Sequence, residues 1–150
     1  MVCGLSPNMA THISHSVAET EAIADELARS LASGFVVGLS GDLGAGKTQF
    51  VRGFARGLGV VERVHSPTFA LLHIYGSGRL PLFHLDLYRL NTDEEIIAAG
   101  LTEYFEPRGL AIIEWIERWR GRPPVDFLRV QIETLTETTR RIVIYDRTGA

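Results

Sequence analysis

The sequence has 150 residues, a formal net charge of −3, 45% hydrophobic side chains and 22% charged side chains. Such a chain is long enough for one globular domain with a proper core. The negative net charge argues against a protein that binds nucleic acid without a partner. No apolar run approaches the roughly 20 residues of a membrane span.

The first 14 residues are predicted to form a flexible tail, which precedes a single domain at residues 15–150. The tail lacks the basic segment and apolar core of a signal peptide. The only cysteine, Cys3, lies in this tail, so an internal disulfide is impossible. This cysteine usage agrees with a reducing compartment, and we expect a cytoplasmic protein that does not associate with membranes.

The first predicted helix begins at Ser16, which with Glu19 has the S-x-x-E form of a capping box, and extends to Leu31. The apolar run at residues 35–40 is typical of a buried parallel strand. After residue 48, apolar residues recur at spacings of three and four, which predicts a helix that ends near Gly59.

Between this strand and this helix, residues 41–48 read Gly-Asp-Leu-Gly-Ala-Gly-Lys-Thr and fit G-x-x-x-x-G-K-[ST], the phosphate-binding P-loop. The glycines let backbone N–H groups converge on an anion at the positive end of the helix. Lys47 can reach the β- and γ-phosphates, and the Thr48 hydroxyl can bind Mg²⁺. We therefore predict a nucleoside triphosphate site formed by Asp42, Leu43, Gly44, Ala45, Gly46, Lys47, Thr48 and Gln49.

The second half of the chain alternates strands and short helices. Residues 69–75 and 80–85 are predicted strands that form a hairpin around the turn at 76–78. A helix is predicted from Asn91 to Gly100, followed by a short helix at 101–105 and an apolar strand at 109–113. Two alternating segments, 127–132 and 141–145, predict a second hairpin at one edge of the sheet.

A P-loop site needs an acid near Thr48 to hold Mg²⁺, usually at the end of a neighbouring apolar strand. Two acids have this position: Glu114 follows the predicted strand 109–113, and Asp86 follows the predicted strand 80–85. Ligands of open α/β sheets lie beyond the carboxyl ends of the parallel strands. Glu114 satisfies that rule directly, whereas Asp86 satisfies it only if its strand runs parallel. The alternative for each is a solvated acid at a strand end.

Ser66-Pro67-Thr68 is a second candidate loop. Thr68 could meet Mg²⁺ or the γ-phosphate, as switch loops do in other P-loop proteins, or the segment could be a plain turn set by Pro67. Residues 115–122 place tryptophans beside arginines, which indicates either a partner-facing or RNA-facing patch or a solvated helix face. The five histidines are scattered along the sequence and predict no metal cluster.

Four segments in this order resemble the TsaE family, also called YjeE. They are the P-loop at 41–48, Ser-Pro-Thr-Phe at 66–69, His-Leu-Asp-Leu-Tyr-Arg at 84–89 and Ile-Glu-Trp at 113–115. The resemblance covers roughly residues 15–145. It implies an α/β fold: a P-loop NTPase-like, mostly parallel sheet flanked by helices, with antiparallel additions.

The resemblance also implies a function. Members of this family are small bacterial P-loop ATPases needed for threonylcarbamoyladenosine (t6A) at position 37 of tRNA, and they act beside the TsaD and TsaB proteins. ATP and Mg²⁺ are the implied cofactors, and contact with tRNA would be indirect through the TsaD–TsaB complex. By position, Thr48 and Glu114 match the Mg²⁺ ligands, Asp86 matches an acid near the γ-phosphate, and Thr68 matches the switch-like loop. Trp115 is expected beside the site, with the segment 17–20 and Arg140 near the base or phosphates.

Other P-loop functions fit the sequence less well. A GTPase would need the guanine-reading N-K-x-D and a D-x-x-G switch, and neither is present. A small-molecule kinase would need an acceptor pocket and usually an arginine-bearing lid, for which the chain has little room. A binding module whose nucleotide controls docking without essential hydrolysis remains open. No arginine finger is evident, Arg89 being one candidate, so we expect an ATP hydrolase that is weak alone and stimulated by partners.

Overall fold

The computed structural model describes residues 9–146, which form one seven-stranded sheet flanked by helices. The strands are β1 (Met9–Ser14), β2 (Val36–Ser40), β3 (Leu72–Tyr75), β4 (Leu82–Asp86), β5 (Leu110–Glu114), β6 (Phe127–Thr134) and β7 (Arg140–Asp146). The helices are α1 (Val17–Ser30), α2 (Lys47–Gly57) and α3 (Asp93–Ala98), with short 3₁₀ helices at Leu101–Phe105 and Ile116–Arg118. Within residues 9–146, no helix has the length and hydropathy that crossing a bilayer requires.

The strand order is β1-β7-β6-β2-β5-β4-β3. The four central strands β6, β2, β5 and β4 are parallel, whereas β3, β7 and β1 each pair antiparallel with their neighbours. Every residue of β2 and of β5 is buried, as a strand covered on both faces requires. The fold class predicted from the sequence is therefore confirmed, and the P-loop leaves the sheet from its central strand β2.

Helices α1 and α2 pack on one face of the sheet, and α3 with the two 3₁₀ helices covers the other. The approach of α1 to α2 depends on two glycines one helical turn apart. A Cβ added at Gly53 would overlap the backbone of Glu21, and one added at Gly57 would overlap the backbone of Asp25. Close packing of these helices brings the start of α1 next to the P-loop at the start of α2.

The structure corrects the predicted boundaries at both ends of the sheet. Residues 9–14, assigned to a flexible tail, form β1, which pairs along its whole length with β7. The hairpin of β6 and β7 consequently lies inside the sheet, because β1 occupies the edge. Pairing with a distant strand is a long-range effect that the short, mixed sequence of β1 does not signal. Residues 1–8, with Cys3, lie outside the described part of the chain.

The first predicted hairpin is present, but β3 begins at Leu72 rather than at residue 69. Residues 68–70 form a turn instead, and Leu71 has a φ of 69°, in the left-handed region. The amide N–H of Leu71 donates to the carbonyl of Pro67 at 2.6 Å, which closes this turn. The chain from 66 to 71 thus folds back over the carboxyl end of β4 instead of extending the sheet.

Candidate functional site

The P-loop connects β2 to α2 with a backbone that only glycine adopts easily. Gly41, Gly44 and Gly46 have φ values of 152°, 82° and 108°, all in the region that disfavours a side chain. No side chain caps the N terminus of α2, and its first turn contains no acidic residue. The positive end of α2 therefore remains available to an anion, as the motif predicts.

Lys47, the only lysine in the chain, lies at the centre of this loop and is only 5% exposed. Its Nζ donates hydrogen bonds to the carbonyls of Gly41 at 2.6 Å and Asp42 at 2.9 Å. The same Nζ lies 4.1 Å from the centroid of the Trp115 ring, within range of a cation–π interaction. Burial lowers the pKa of Lys47 below its ordinary value, and nearby carboxylates, including Glu117 and Glu114, oppose that shift.

Two buried carboxylates face the loop from neighbouring strands. Asp86 and Glu114 end β4 and β5, and they are register partners in this parallel pair. The Thr48 hydroxyl lies 3.3 and 3.4 Å from the two carboxylate oxygens of Glu114. A hydroxyl and ionised carboxylates are hard oxygen donors of the kind that Mg²⁺ prefers. Thr48 and Glu114 thus fit a magnesium site completed by a ligand's phosphates.

No group of three or more His, Cys, Asp and Glu side chains within residues 9–146 has the arrangement to hold a metal ion alone. Magnesium is usually bound through one or two carboxylates together with substrate phosphates and water, so a dedicated cage is not needed.

The loop at residues 66–71 is tied to Asp86. One carboxylate oxygen of Asp86 accepts hydrogen bonds from the hydroxyls of Ser66 at 3.1 Å and Thr68 at 3.0 Å. The other oxygen accepts from the backbone N–H of Tyr88 at 2.9 Å. Three donors therefore fix the orientation of this carboxylate. The hydrogen bond to Asp86 also holds Thr68 at the site.

A cavity beyond the ends of the parallel strands collects these groups, and we call it the strand-end cavity. Its lining comprises Leu43, Gly44, Gly46, Lys47, Thr48, Gln49, Ser66, Thr68, Asp86, Tyr88, Glu114 and Trp115. Most of the predicted site residues are among them. Asp42 and Ala45 are not: Asp42 lines a different cavity together with Gln131 and Glu133, and Ala45 lines the cavity described next.

A second cavity of about 310 Å³ lies on the other side of the P-loop, and we call it the N-terminal cavity. It is lined by His15, Ser16, Val17, Thr20, Gly44, Ala45, Gly46, Gln49, Glu137, Thr138 and Arg140. Gly44, Gly46 and Gln49 line both cavities, so the two adjoin at the loop. Arg140 donates through Nε to the carbonyl of Ala45 at 2.9 Å and joins β7 to the loop.

The structure divides residues 115–122 between two environments. Trp115 has a φ of 61° and turns into the strand-end cavity, where its ring lies 4.9 Å from that of Tyr88. Trp119 instead packs edge-on against Phe105, and its indole N–H donates to the carbonyl of Arg122. Only Ile116–Arg118 is helical, so the solvated helix face considered from the sequence does not form.

One functional side chain was missed by the sequence reasoning. His84 is fully buried on β4, and its Nε2 lies 2.6 Å from an oxygen of Glu114. Its spacing of two from Asp86, which places both on one face of the strand, was the available signal. The histidines are also less scattered than the sequence indicated: the ring of His73 lies 4.8 Å from that of His65 and 6.4 Å from that of His84.

Comparison with known proteins gives a consistent assignment. Residues 14–142 match the family model described as "Threonylcarbamoyl adenosine biosynthesis protein TsaE". The TsaE protein of Bacillus subtilis is 42% identical over 124 residues, which is 83% of this chain and 77% of that protein. The TsaE protein of Treponema pallidum is 39% identical over 132 residues, or 88% of this chain and 97% of that protein.

The solved structures agree with the sequence comparisons. The crystal structure of YdiB from Bacillus subtilis superposes with a TM-score of 0.80 at 34% identity, covering 94% of this chain and 87% of that one. Family model, relatives and fold thus agree over nearly all of the described residues, and the chain belongs to the TsaE family of threonylcarbamoyladenosine biosynthesis proteins.

Proposed function

We propose that this protein is a Mg²⁺-dependent ATP hydrolase that supports t6A formation at position 37 of tRNA together with the TsaD and TsaB proteins. The observation that carries the proposal is the meeting of Lys47, Thr48, Asp86 and Glu114 around one cavity at the carboxyl ends of β2, β4 and β5. Family membership supplies the biological process, and the chemistry is argued from these side chains.

The two cavities suit the two parts of a nucleotide. The triphosphate follows the P-loop into the strand-end cavity, where the N terminus of α2 and the Lys47 ammonium offset its charge. The nucleoside then occupies the N-terminal cavity, beside Val17, Thr20 and Arg140. Adenine is favoured over guanine because the sequence lacks the N-K-x-D motif by which GTPases read guanine.

Thr48 and Glu114 would hold Mg²⁺, which when bound neutralises charge on the phosphates during transfer to water. Asp86 is the side chain placed to orient the attacking water, because its carboxylate is buried and fixed by Ser66, Thr68 and Tyr88. The water oxygen bonds to the γ-phosphorus, the bond to the β–γ bridging oxygen breaks, and ADP and inorganic phosphate leave.

The isolated chain should turn over slowly because residues 9–146 place no arginine where charge on the phosphates would need one. In the part of the chain that the structure describes, no arginine lines the strand-end cavity. The guanidinium of Arg89, the candidate finger, lies 4.4 Å from the ring centroid of the exposed Phe69. An arginine supplied by a partner, or a movement of Arg89, would complete the charge stabilisation that efficient phosphoryl transfer requires.

The test is ATP hydrolysis by the chain alone and then with TsaB, TsaD and tRNA, using the wild type, Lys47→Ala and Glu114→Ala. Glu133→Ala, at an exposed acid paired with Arg141, is the control. Partner-stimulated turnover that both site variants lose and the control keeps is the expected result. ATP binding without stimulated turnover, together with normal tRNA modification by Glu114→Ala, would instead identify a nucleotide-dependent binding module.

A further inference from the structure

His84 is the one buried ionisable side chain of the site to which the proposed mechanism gives no role. It lies on β4 opposite Ile112 of β5, two residues along the strand from the register pair of Asp86 and Glu114. His84 and Glu114 are therefore diagonal neighbours across the two strands. The Nε2 of His84 lies 2.6 Å from one carboxylate oxygen of Glu114, and both side chains are shielded from solvent. His84 therefore contacts the proposed metal ligand from beneath, on the side away from the cavity.

The hydrogen bonding of His84 defines its tautomer. An ionised carboxylate only accepts hydrogen bonds, so Nε2 must carry the proton that lies between His84 and Glu114. The other ring nitrogen, Nδ1, is buried and has no hydrogen-bond partner among residues 9–146. A proton on Nδ1 would be a buried donor without an acceptor, which is costly. The proton in the contact with Glu114 accordingly lies on Nε2.

We propose that His84 is a positioning residue that holds the Glu114 carboxylate in the orientation needed to bind Mg²⁺ beside Thr48. The inference rests on the proposed function, because it takes Glu114 as a Mg²⁺ ligand. As a hydrogen-bond donor, His84 fixes one carboxylate oxygen of Glu114. The remaining lone pairs then face Thr48, whose hydroxyl is 3.3 Å from the other oxygen. Partners of this kind orient metal ligands and tune their affinity.

The chain offers matched variants that separate hydrogen bonding from packing. His84→Phe keeps a ring of similar size but removes the donor, whereas His84→Gln keeps an N–H donor at nearly the same reach. His84→Asn is too short to reach Glu114 and replaces the Phe variant if that protein does not fold. His73→Phe is the control, because His73 is the register partner of His84 in β3 and its ring nitrogen instead contacts the His65 carbonyl.

The first measurement is ATP affinity by calorimetry as a function of free Mg²⁺. We expect His84→Phe to raise the Mg²⁺ concentration required by about 10–100-fold, while affinity for ATP in EDTA stays unchanged. His84→Gln should recover most of that loss, and His73→Phe should behave as the wild type. An unchanged Mg²⁺ requirement in His84→Phe would overturn the inference. A wild type whose ATP binding ignores Mg²⁺ would overturn the proposed function, and the metal part of the inference with it.

The second measurement needs no nucleotide and no variant. Long-range ¹H–¹⁵N NMR correlations distinguish the two neutral tautomers of histidine and the charged ring. His84 is expected to carry a proton on Nε2, the nitrogen that contacts Glu114. A ring without a proton on Nε2 could not donate to Glu114, and that result would overturn the positioning role even if the wild type binds Mg²⁺ and ATP.

Discussion

The two cavities on either side of the P-loop are built on different principles. The strand-end cavity takes its polar groups from Lys47, Asp86 and Glu114, which are all at least 95% buried and fixed by hydrogen bonds. The N-terminal cavity takes its groups from the start of α1 and from the turn between β6 and β7. These groups are more exposed: Val17 is 58% exposed and Arg140 is half-buried. The strand-end cavity is thus lined by core residues, whereas the N-terminal cavity lies between two surface segments.

This difference indicates a division of labour. Groups buried at strand ends cannot move without disturbing the sheet, so they suit chemistry, which needs geometry held to fractions of an ångström. Groups on turns and helix starts tolerate adjustment, and they suit binding of the less reactive part of a ligand. Substitutions in the strand-end cavity should therefore change turnover, and those in the N-terminal cavity should change affinity.

The largest expected effect is on turnover at the strand ends. Asp86→Asn keeps the shape of the side chain but removes the charge that orients water, so the rate at saturating ATP should fall about 100-fold. Affinity for Mg²⁺-ATP should change less than about threefold, because Asp86 is not a primary ligand of the phosphates. Steady-state kinetics and calorimetry measure the two quantities. A loss of affinity with turnover unchanged would reverse the assignment of the two cavities.

The next effect is on stability, at the close contact between α1 and α2. Gly53→Ala places a methyl group against the backbone of Glu21, so α1 must move away from α2. We expect a loss of about 1–3 kcal/mol in the free energy of unfolding, less a helix-propensity gain of about 1 kcal/mol. Urea unfolding measures it. Gly76→Ala, where an added Cβ meets nothing within 4 Å, is the control and should change stability by less than about 0.5 kcal/mol.

The sequence predicts the strand-end cavity far better than the N-terminal one. The P-loop motif and the acids at the ends of apolar strands are local signals, and parallel strands bring such residues together by rule. Asp86 could reach this cavity only if β4 ran parallel to β5. The sequence left that direction open, and the structure shows that the two strands are parallel. His84 was missed because its spacing of two from Asp86 places it on the same face of the strand but does not show what it contacts; its contact with Glu114 is seen only in the structure.

The N-terminal cavity depends on pairings that no short segment encodes. Its wall is complete only because β1 joins β7 at the sheet edge, which places His15 and Ser16 near Arg140. The sequence indicated a loose tail there, and in the structure only one of the six residues of β1 is buried, so the strand has little apolar patterning to reveal it. Arg140 was suggested by family resemblance alone, and its contact with Ala45 links residues 95 positions apart. Such contacts follow from topology rather than from local sequence.

A smaller effect is expected on affinity in the N-terminal cavity. Arg140→Ala removes the hydrogen bond to the Ala45 carbonyl and one wall of the cavity, so ATP affinity should fall about tenfold, or about 1.4 kcal/mol. Turnover at saturating ATP should stay within about twofold of the wild type. Arg141→Ala is the control, because that neighbouring side chain points away and pairs with Glu133. Equal effects of the two variants would show that charge alone matters.

The smallest expected effect is a shift in the titration of Lys47. Burial disfavours its charged form, so its pKa in the free protein should lie below the ordinary value of 10.5. A group with a lowered folded-state pKa destabilises the fold while it is charged, and this penalty fades as pH rises through that pKa toward 10.5. Bound pyrophosphate should raise the pKa again, because its negative charge favours the ammonium.

Because Lys47 is the only lysine, protein labelled with ¹³C-lysine gives a single lysine Cε resonance, whose shift against pH reports this pKa directly. The same protein in urea supplies the ordinary value. If pyrophosphate left the pKa of Lys47 unchanged, the Lys47 ammonium would not contact the bound phosphate. The strand-end cavity would then not be the site of ATP hydrolysis. A pKa raised by pyrophosphate in the wild type and equally in Arg140→Ala would confirm that the two cavities act independently.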